Sequence, residues 1–174
     1  MLVSIVIPCY NSEQTIGKVV ELAIEEFEKL KDYECEFVLV NDYSRDNTWK
    51  SIHALTEKYP NVKGINLAKN FGQHNAIMAG MNYAQGELIL GMDDDMQNHP
   101  SQIHSSLTKW KKAMILCSEC LNRRKFSWFK NLTRGSKSGF FCGICWTVRR
   151  ISKMSSFWCC RKYVRDEVVK YERL

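Results

Sequence analysis

Several things are missing from this chain, and each absence narrows what it can be. No run approaches the ~18 apolar residues that a membrane-crossing helix needs, and the opening MLVSIVIPCY has neither a basic leader nor a small-residue cleavage site. The opening therefore predicts a first strand. There is no G-x-G-x-x-G and no G-x-x-x-x-G-K-[ST], so dinucleotide and P-loop sites lose their main support. A calcium loop counted from Asp93 fails as well, with Asn98 where the turn glycine belongs and His104 where the bidentate glutamate belongs. No low-complexity segment or linker interrupts the sequence. Acidic residues nearly vanish from its second part: residues 96–165 hold fifteen Lys/Arg and the single Glu119.

What is present is the composition of an ordinary folded domain, 45% hydrophobic and 25% charged over 174 residues, and one domain over 1–174 is expected. Eight cysteines could suggest a disulfide scaffold, but a chain of this size does not need one. Reduced thiols and a cytoplasmic setting are expected. Residues 1–95 carry eight Lys/Arg against fifteen Asp/Glu, so the net charge of +6 hides an acidic first half and a basic second half. A basic half points to phosphate, nucleic acid or an anionic membrane surface as partner.

Periodicity gives the architecture. LVSIVI reads as a strand, and Ile16, Val19, Val20, Ala23, Ile24, Phe27 and Leu30 fall at helical spacing, with Asn11 or Ser12 available as helix cap. EFVLVN, VKGINL and ELILGM read as strands, and DNTWKSIHALTEKY and GQHNAIMAGMNYA as helices. The resulting βαβαβαβ pattern predicts an α/β fold whose mostly parallel sheet has helices on both faces. Further on, MILCSEC is a weak strand, and SSFWCCRKYVRDEVVKY has helical character.

The polar segments PCYNSE, NDYSRDN, AKNFGQ and DDDMQ each follow a strand, so Glu13, Asp42, Asn70 and the acids 93–95 converge on the carboxyl edge, where open α/β sheets bind ligands. Asp93 and Asp95 point the same way in extended backbone while Asp94 points aside. Such a pair, with Gln97 two residues on, suits a hard divalent cation, Mg²⁺ or Mn²⁺, with positions left open for a diphosphate.

VSIVIPCYNSE, VLVNDYSRDNTW, NLAKNFGQHNAIMAGMNYAQGE and LGMDDDMQNHP, in that order, resemble family 2 glycosyltransferases of the GT-A fold, in particular those acting on polyprenyl phosphates. The resemblance runs over residues 2–104 and implies a metal-dependent, inverting transfer of sugar from a nucleotide-sugar donor, UDP rather than GDP, to a polyprenyl phosphate. It implies that Pro8, Tyr10 and Glu13 line a nucleoside pocket and that Asp42 contacts base or ribose. Asn70, Gly72, Gln73, Asp93 and Asp94 would lie by the nucleotide sugar, with Asp93, Asp95 and Gln97 at the metal. An ionised lipid phosphate needs no general base but does need cations to hold it. Arg123, Arg124 and Lys125 are the candidates, with Arg124 joining Asp93 and Asp95 as catalytic groups.

Beyond residue 104 the resemblance breaks and returns only in RKFSWFKNL and KMSSFWCCRKYVRDEVVKYE, as in a truncated or disrupted member. Two other readings follow: a nucleotide-binding remnant without catalysis, or a zinc-stabilised basic nucleic-acid module over 117–145 built on Cys117, Cys120, Cys142 and Cys145. Peripheral contact with the cytoplasmic membrane face through the basic half fits the first reading.

Overall fold

A computed structural model describes residues 1–96, 100–101, 103–104, 107, 116–118 and 157–171. The element order is β1 (Leu2–Cys9), α1 (Ile16–Glu28), β2 (Glu34–Asn41), α2 (Thr48–Lys58), β3 (Val62–Asn66), α3 (Gln73–Tyr83), β4 (Leu88–Met92), β5 (Leu116–Ser118), β6 (Phe157–Arg161) and α4 (Lys162–Tyr171). The strands form one sheet in the order β3-β2-β1-β4-β6-β5. The first four are mutually parallel, whereas β6 runs antiparallel to both β4 and β5. The expected alternation is thus observed through β4, and the short MILCSEC strand joins the same sheet as β5.

Strand alternation sorts the apolar side chains into two cores. Val3, Ile5, Ile7 and Cys9 of β1, with Phe37, Leu39, Leu88, Leu90 and Met92, face Ile16, Val19, Val20, Ala23 and Phe27 of α1 and Ile52 and Leu55 of α2. On the opposite face, Val6, Val38, Val40 and Ile89 meet Ala76, Ile77, Met78 and Met81 of α3 and Val164 of α4. Helices cover both faces, so the central strands are buried runs rather than half-polar ones. Gly80 lets α3 lie close against the sheet, because a Cβ there would stand 2.4 Å from Val6 Cγ1.

One expectation needs correction. Neither Asn11 nor Ser12 caps α1 with its side chain: the N-cap is Thr15, and the Ser12 carbonyl accepts from the Thr15 and Ile16 N–H groups. The Ser12 hydroxyl is engaged elsewhere, on Asp94. The helical character expected near the end of SSFWCCRKYVRDEVVKY is found in α4, which begins at Lys162; before it, Phe157–Arg161 forms strand β6. The alternation of Trp158, Cys159 and Cys160 between the two cores was the period-2 signal for it.

The return of β6 to β4 depends on Gly91. The two residues Gly91 and Trp158 are register partners, and a Cβ on Gly91 would stand 1.9 Å from the indole of Trp158. The indole therefore lies directly over the strand. Behind it, Arg165 of α4 donates to the carbonyls of Met81 and Ala84 at the end of α3, where orphan carbonyls and the helix dipole favour a cation.

Candidate active site

The strand order reverses between β1 and β4: β2 and β3 build outward on one side, β4 and β6 on the other. Pairing between β1 and β4 stops at Val6–Gly91, while β1 continues beside β2 to Cys9–Asn41. Pro8 lies in that overhang, where its missing N–H leaves no gap in a β1–β4 ladder that has already ended. The strands part there, and a crevice of about 360 Å³ opens, lined by Pro8, Cys9, Tyr10, Asp42, Asn70, Gly72, Gln73, Asp93, Asp94 and Asp95. That volume is in the range of small-molecule sites.

Of the residues expected at the site, the crevice brings together Pro8, Tyr10, Asp42, Asn70, Gly72, Gln73 and the three aspartates. Glu13 is not among the lining residues: its Oε2 accepts from the Asn47 N–H at 2.7 Å, at the start of α2. Gln97, Arg123, Arg124 and Lys125 lie outside the described residues, as do Cys120, Cys142 and Cys145 of the zinc reading. Cys117 is a residue of β5, opposite Cys159.

The crevice walls are held from below by carboxylates. Asp42, 3% exposed, accepts from the Phe71 N–H through Oδ1 and from the Gly72 N–H through Oδ2, each at 2.8 Å. It thereby fixes the loop that leads into α3. Gly72 sits at φ +86° and ψ 156°, a region that residues with a Cβ avoid. Asp93 Oδ1 accepts from the Gln73 side-chain amide at 3.0 Å. Asp94 turns the other way, and its Oδ2 accepts from the Tyr10 N–H at 3.2 Å and from the Ser12 hydroxyl. Burial pushes the Asp94 carboxyl above its usual range, more than these two hydrogen bonds draw it down.

The loops after β1 and β2 are laced together as well. Asn11 accepts from the Arg45 N–H at 3.0 Å, the Ser12 N–H donates to Thr48 Oγ1 at 2.7 Å, and the Glu13 N–H donates to Asp46 Oδ2 at 3.1 Å. Asp46 also accepts from the N–H of Thr48 at 3.0 Å, satisfying an orphan donor in the first turn of α2. Sequence reasoning missed Ser12 and Cys9 as site residues. Cys9 lines the crevice, but its thiol is buried in the core and donates to the Ile7 carbonyl at 3.4 Å; burial, and then the charge of Asp94, hold it well above the usual thiol range.

A parallel sheet that reverses order at a carboxylate-lined crevice is the arrangement of the GT-A fold, and solved structures of that fold resemble this one. The mannosyltransferase PcManGT from Pyrobaculum calidifontis, solved in complex with GDP-Man and Mn²⁺, matches with a TM-score of 0.63 at 16% identity, over 95% of this chain and 46% of that one. The family model described as Glycosyl transferase family 2 matches residues 4–165, and the chain belongs to that family. The undecaprenyl-phosphate 4-deoxy-4-formamido-L-arabinose transferase of Proteus mirabilis (strain HI4320) is 36% identical over 129 residues, 74% of this chain and 39% of the relative. The prophage bactoprenol glucosyl transferase homolog of Escherichia coli (strain K12) is 34% identical over 141 residues, 76% of this chain and 46% of the relative. The chain spans less than half the length of these curated relatives.

Proposed function

We propose that residues 1–174 form one nucleotide-sugar-binding unit of a glycosyltransferase that passes a sugar to a polyprenyl phosphate. The observation that carries this reading is the convergence of four strand ends on one crevice with Asp93 and Asp95 in its wall. The names of the relatives, which act on undecaprenyl phosphate and bactoprenol, supply the acceptor class.

The donor set fits a hard divalent ion, because both side chains are carboxylates and sit at the open edge of the sheet. Among the described residues no cluster of three or more His, Cys, Asp or Glu is arranged to enclose a metal. Asp93 and Asp95, with Gln97, are the residues that would hold Mg²⁺ or Mn²⁺, hard cations that carboxylate oxygens suit. A divalent ion there would offset the charge that builds on the departing nucleoside diphosphate.

The protein's own groups do the rest. Tyr10 and Pro8 form the wall on the nucleoside side, and Asp42 fixes the Phe71–Gly72 backbone that faces the sugar. Arg123, Arg124 and Lys125 hold the acceptor phosphate, whose ionised oxygen attacks the anomeric carbon from the side opposite the diphosphate, with inversion. UDP is the donor base that the sequence resemblance favours. Among the described residues no helix is long and apolar enough to cross a membrane, and the basic second half supplies contact with an anionic membrane surface.

Calorimetric titration with UDP and GDP, each with and without Mn²⁺, tests the donor half of the reading. Metal-enhanced binding of one nucleotide is expected. Transfer of labelled sugar to undecaprenyl phosphate in mixed micelles then tests the acceptor half. A folded chain that binds neither nucleotide overturns the proposal, and one that binds without turnover is a nucleotide-binding remnant.

A further inference from the structure

Beyond the end of their ladder, Asp94 bridges the gap between β1 and β4. The last register pair is Val6–Gly91. Past it, Tyr10 and Ser12 on the β1 side and Asp94 on the β4 side meet through a single carboxylate oxygen, Oδ2. Ser12 is 5% exposed, and its own N–H is held by Thr48 Oγ1 at 2.7 Å. The carboxylate therefore does not swing on a loose surface loop. It fixes Tyr10, whose side chain is half exposed at the crevice, relative to Asp93 and Asp95 on either side of it in the chain.

We propose that Asp94 is a positioning residue that couples the two halves of the crevice: its Oδ2, by accepting from the Tyr10 N–H and the Ser12 hydroxyl, sets the nucleoside wall at a fixed distance from the diphosphate-binding carboxylates. This assignment rests on the nucleotide-sugar reading for its ligand and replaces a direct ligand contact for Asp94 with an indirect one. A residue acting this way needs an acceptor oxygen at one point, not a negative charge. Asparagine can supply that oxygen and alanine cannot. A residue acting as a metal or diphosphate ligand would lose as much with asparagine as with alanine, because an amide is a poor substitute for a carboxylate on a hard cation.

The decisive experiment compares wild type, Asp94→Ala, Asp94→Asn, Ser12→Ala and the double variant Ser12→Ala/Asp94→Ala. The nucleoside diphosphate that wild type binds is titrated with and without Mn²⁺, and the hydrogen exchange of the Tyr10 amide is followed by NMR in the absence of any ligand. Asp94→Ala is expected to weaken binding about tenfold in the metal-free titration as well as with Mn²⁺, the loss of the acceptor for the Tyr10 N–H and the Ser12 hydroxyl. It should also accelerate exchange at Tyr10 by a similar factor. Asp94→Asn should restore most of both, and Ser12→Ala should lose affinity alone but add nothing in the Asp94→Ala background.

Unchanged Tyr10 exchange in Asp94→Ala overturns the assignment whether or not any nucleotide binds. So does an affinity loss confined to the Mn²⁺ titration, or one equally deep in the asparagine variant. If Asp94→Ala does not fold, the Ser12→Ala variant carries the test through the same two measurements, and unchanged exchange and affinity there overturn the assignment. Wild type that binds neither nucleotide, with Tyr10 exchange responding as expected, overturns the function proposed above and leaves the bridge standing.

Discussion

The two ends of this sheet treat buried carboxylates differently. At the amino ends of the strands, Glu36 of β2 is 5% exposed and is fully occupied. One oxygen accepts from the Ser4 hydroxyl and from the Gln85 and Gly86 N–H groups, and the other from Lys63 Nζ at 2.8 Å. At the carboxyl ends, Asp42 and Asp94 accept from backbone N–H groups and a hydroxyl instead of closing on an ion pair. The amino edge is neutralised and sealed, with Gly86 pressed so near Ser4 that a Cβ would stand 2.7 Å from its backbone nitrogen. The carboxyl edge keeps a cavity beside its acids. Burial of an acid is therefore no sign of function here; what the acid is joined to decides.

This contrast can be broken by substitution. Glu36→Ala strands three donors and the Lys63 ammonium, and should cost about 3 kcal/mol of folding stability by urea denaturation, with no change in nucleotide affinity in whatever protein remains folded. Asp95→Asn should do the reverse: about 100-fold weaker metal-dependent nucleotide binding, some 2.7 kcal/mol, and a melting temperature within 2 °C or so of wild type, as expected for a side chain at an open strand end. Equal loss of stability in both variants would erase the distinction. Thr48→Val, which removes the acceptor of the Ser12 N–H and a donor to Asp46, should lower stability by about 1.5 kcal/mol and affinity only slightly, by loosening the loops that frame the crevice.

The smallest effect is in the pH dependence. Burial alone would raise the Glu36 carboxyl, but Lys63, Ser4 and the Gln85 N–H outweigh it and hold the group below the usual glutamate range. A carboxyl depressed in the folded state binds its proton more readily when unfolded, so its contribution is present above the usual glutamate range and is lost as pH falls through the depressed value. Acid denaturation of Glu36→Gln should therefore lack part of the steepening below about pH 4.3 that wild type shows. Superimposable acid limbs would mean that folding does not depress the Glu36 carboxyl.

The same contrast explains how much could be read from sequence. The first four strands and three helices were legible because apolar runs and 3.6-residue stripes alternate without interruption from Leu2 to Met92. The crevice was legible because strand ends in a parallel sheet gather on one edge. The pairing of β6 with β4 was not, since a five-residue strand of Phe, Trp and two cysteines followed at once by a helix offers too short a period to separate the two. Nor could spacing show that Glu13 and Asp94, two acids of the same segments, are bound to backbone N–H groups. Spacing says which face an acid shares, and the loop it meets is set by tertiary contact. The carboxyl-edge acids Asp42, Asp93 and Asp95 were placed in the crevice by order along the chain alone, whereas the sealed Glu36 attracted no attention because it lies inside a strand.

The seat of Trp158 on Gly91 has a consequence for how the molecule is made. On the ribosome, β4 is complete about 65 residues before the strand that pairs with its free side, an interval of several seconds at ~5–20 residues per second. For that time β4 lacks the strand partner it has in the finished sheet, with a glycine where the indole will lie. An unpaired edge of this kind is a template for pairing with another chain. Arrival of Trp158 closes it, so that the aromatic ring ends the vulnerable period of synthesis as well as completing the second core.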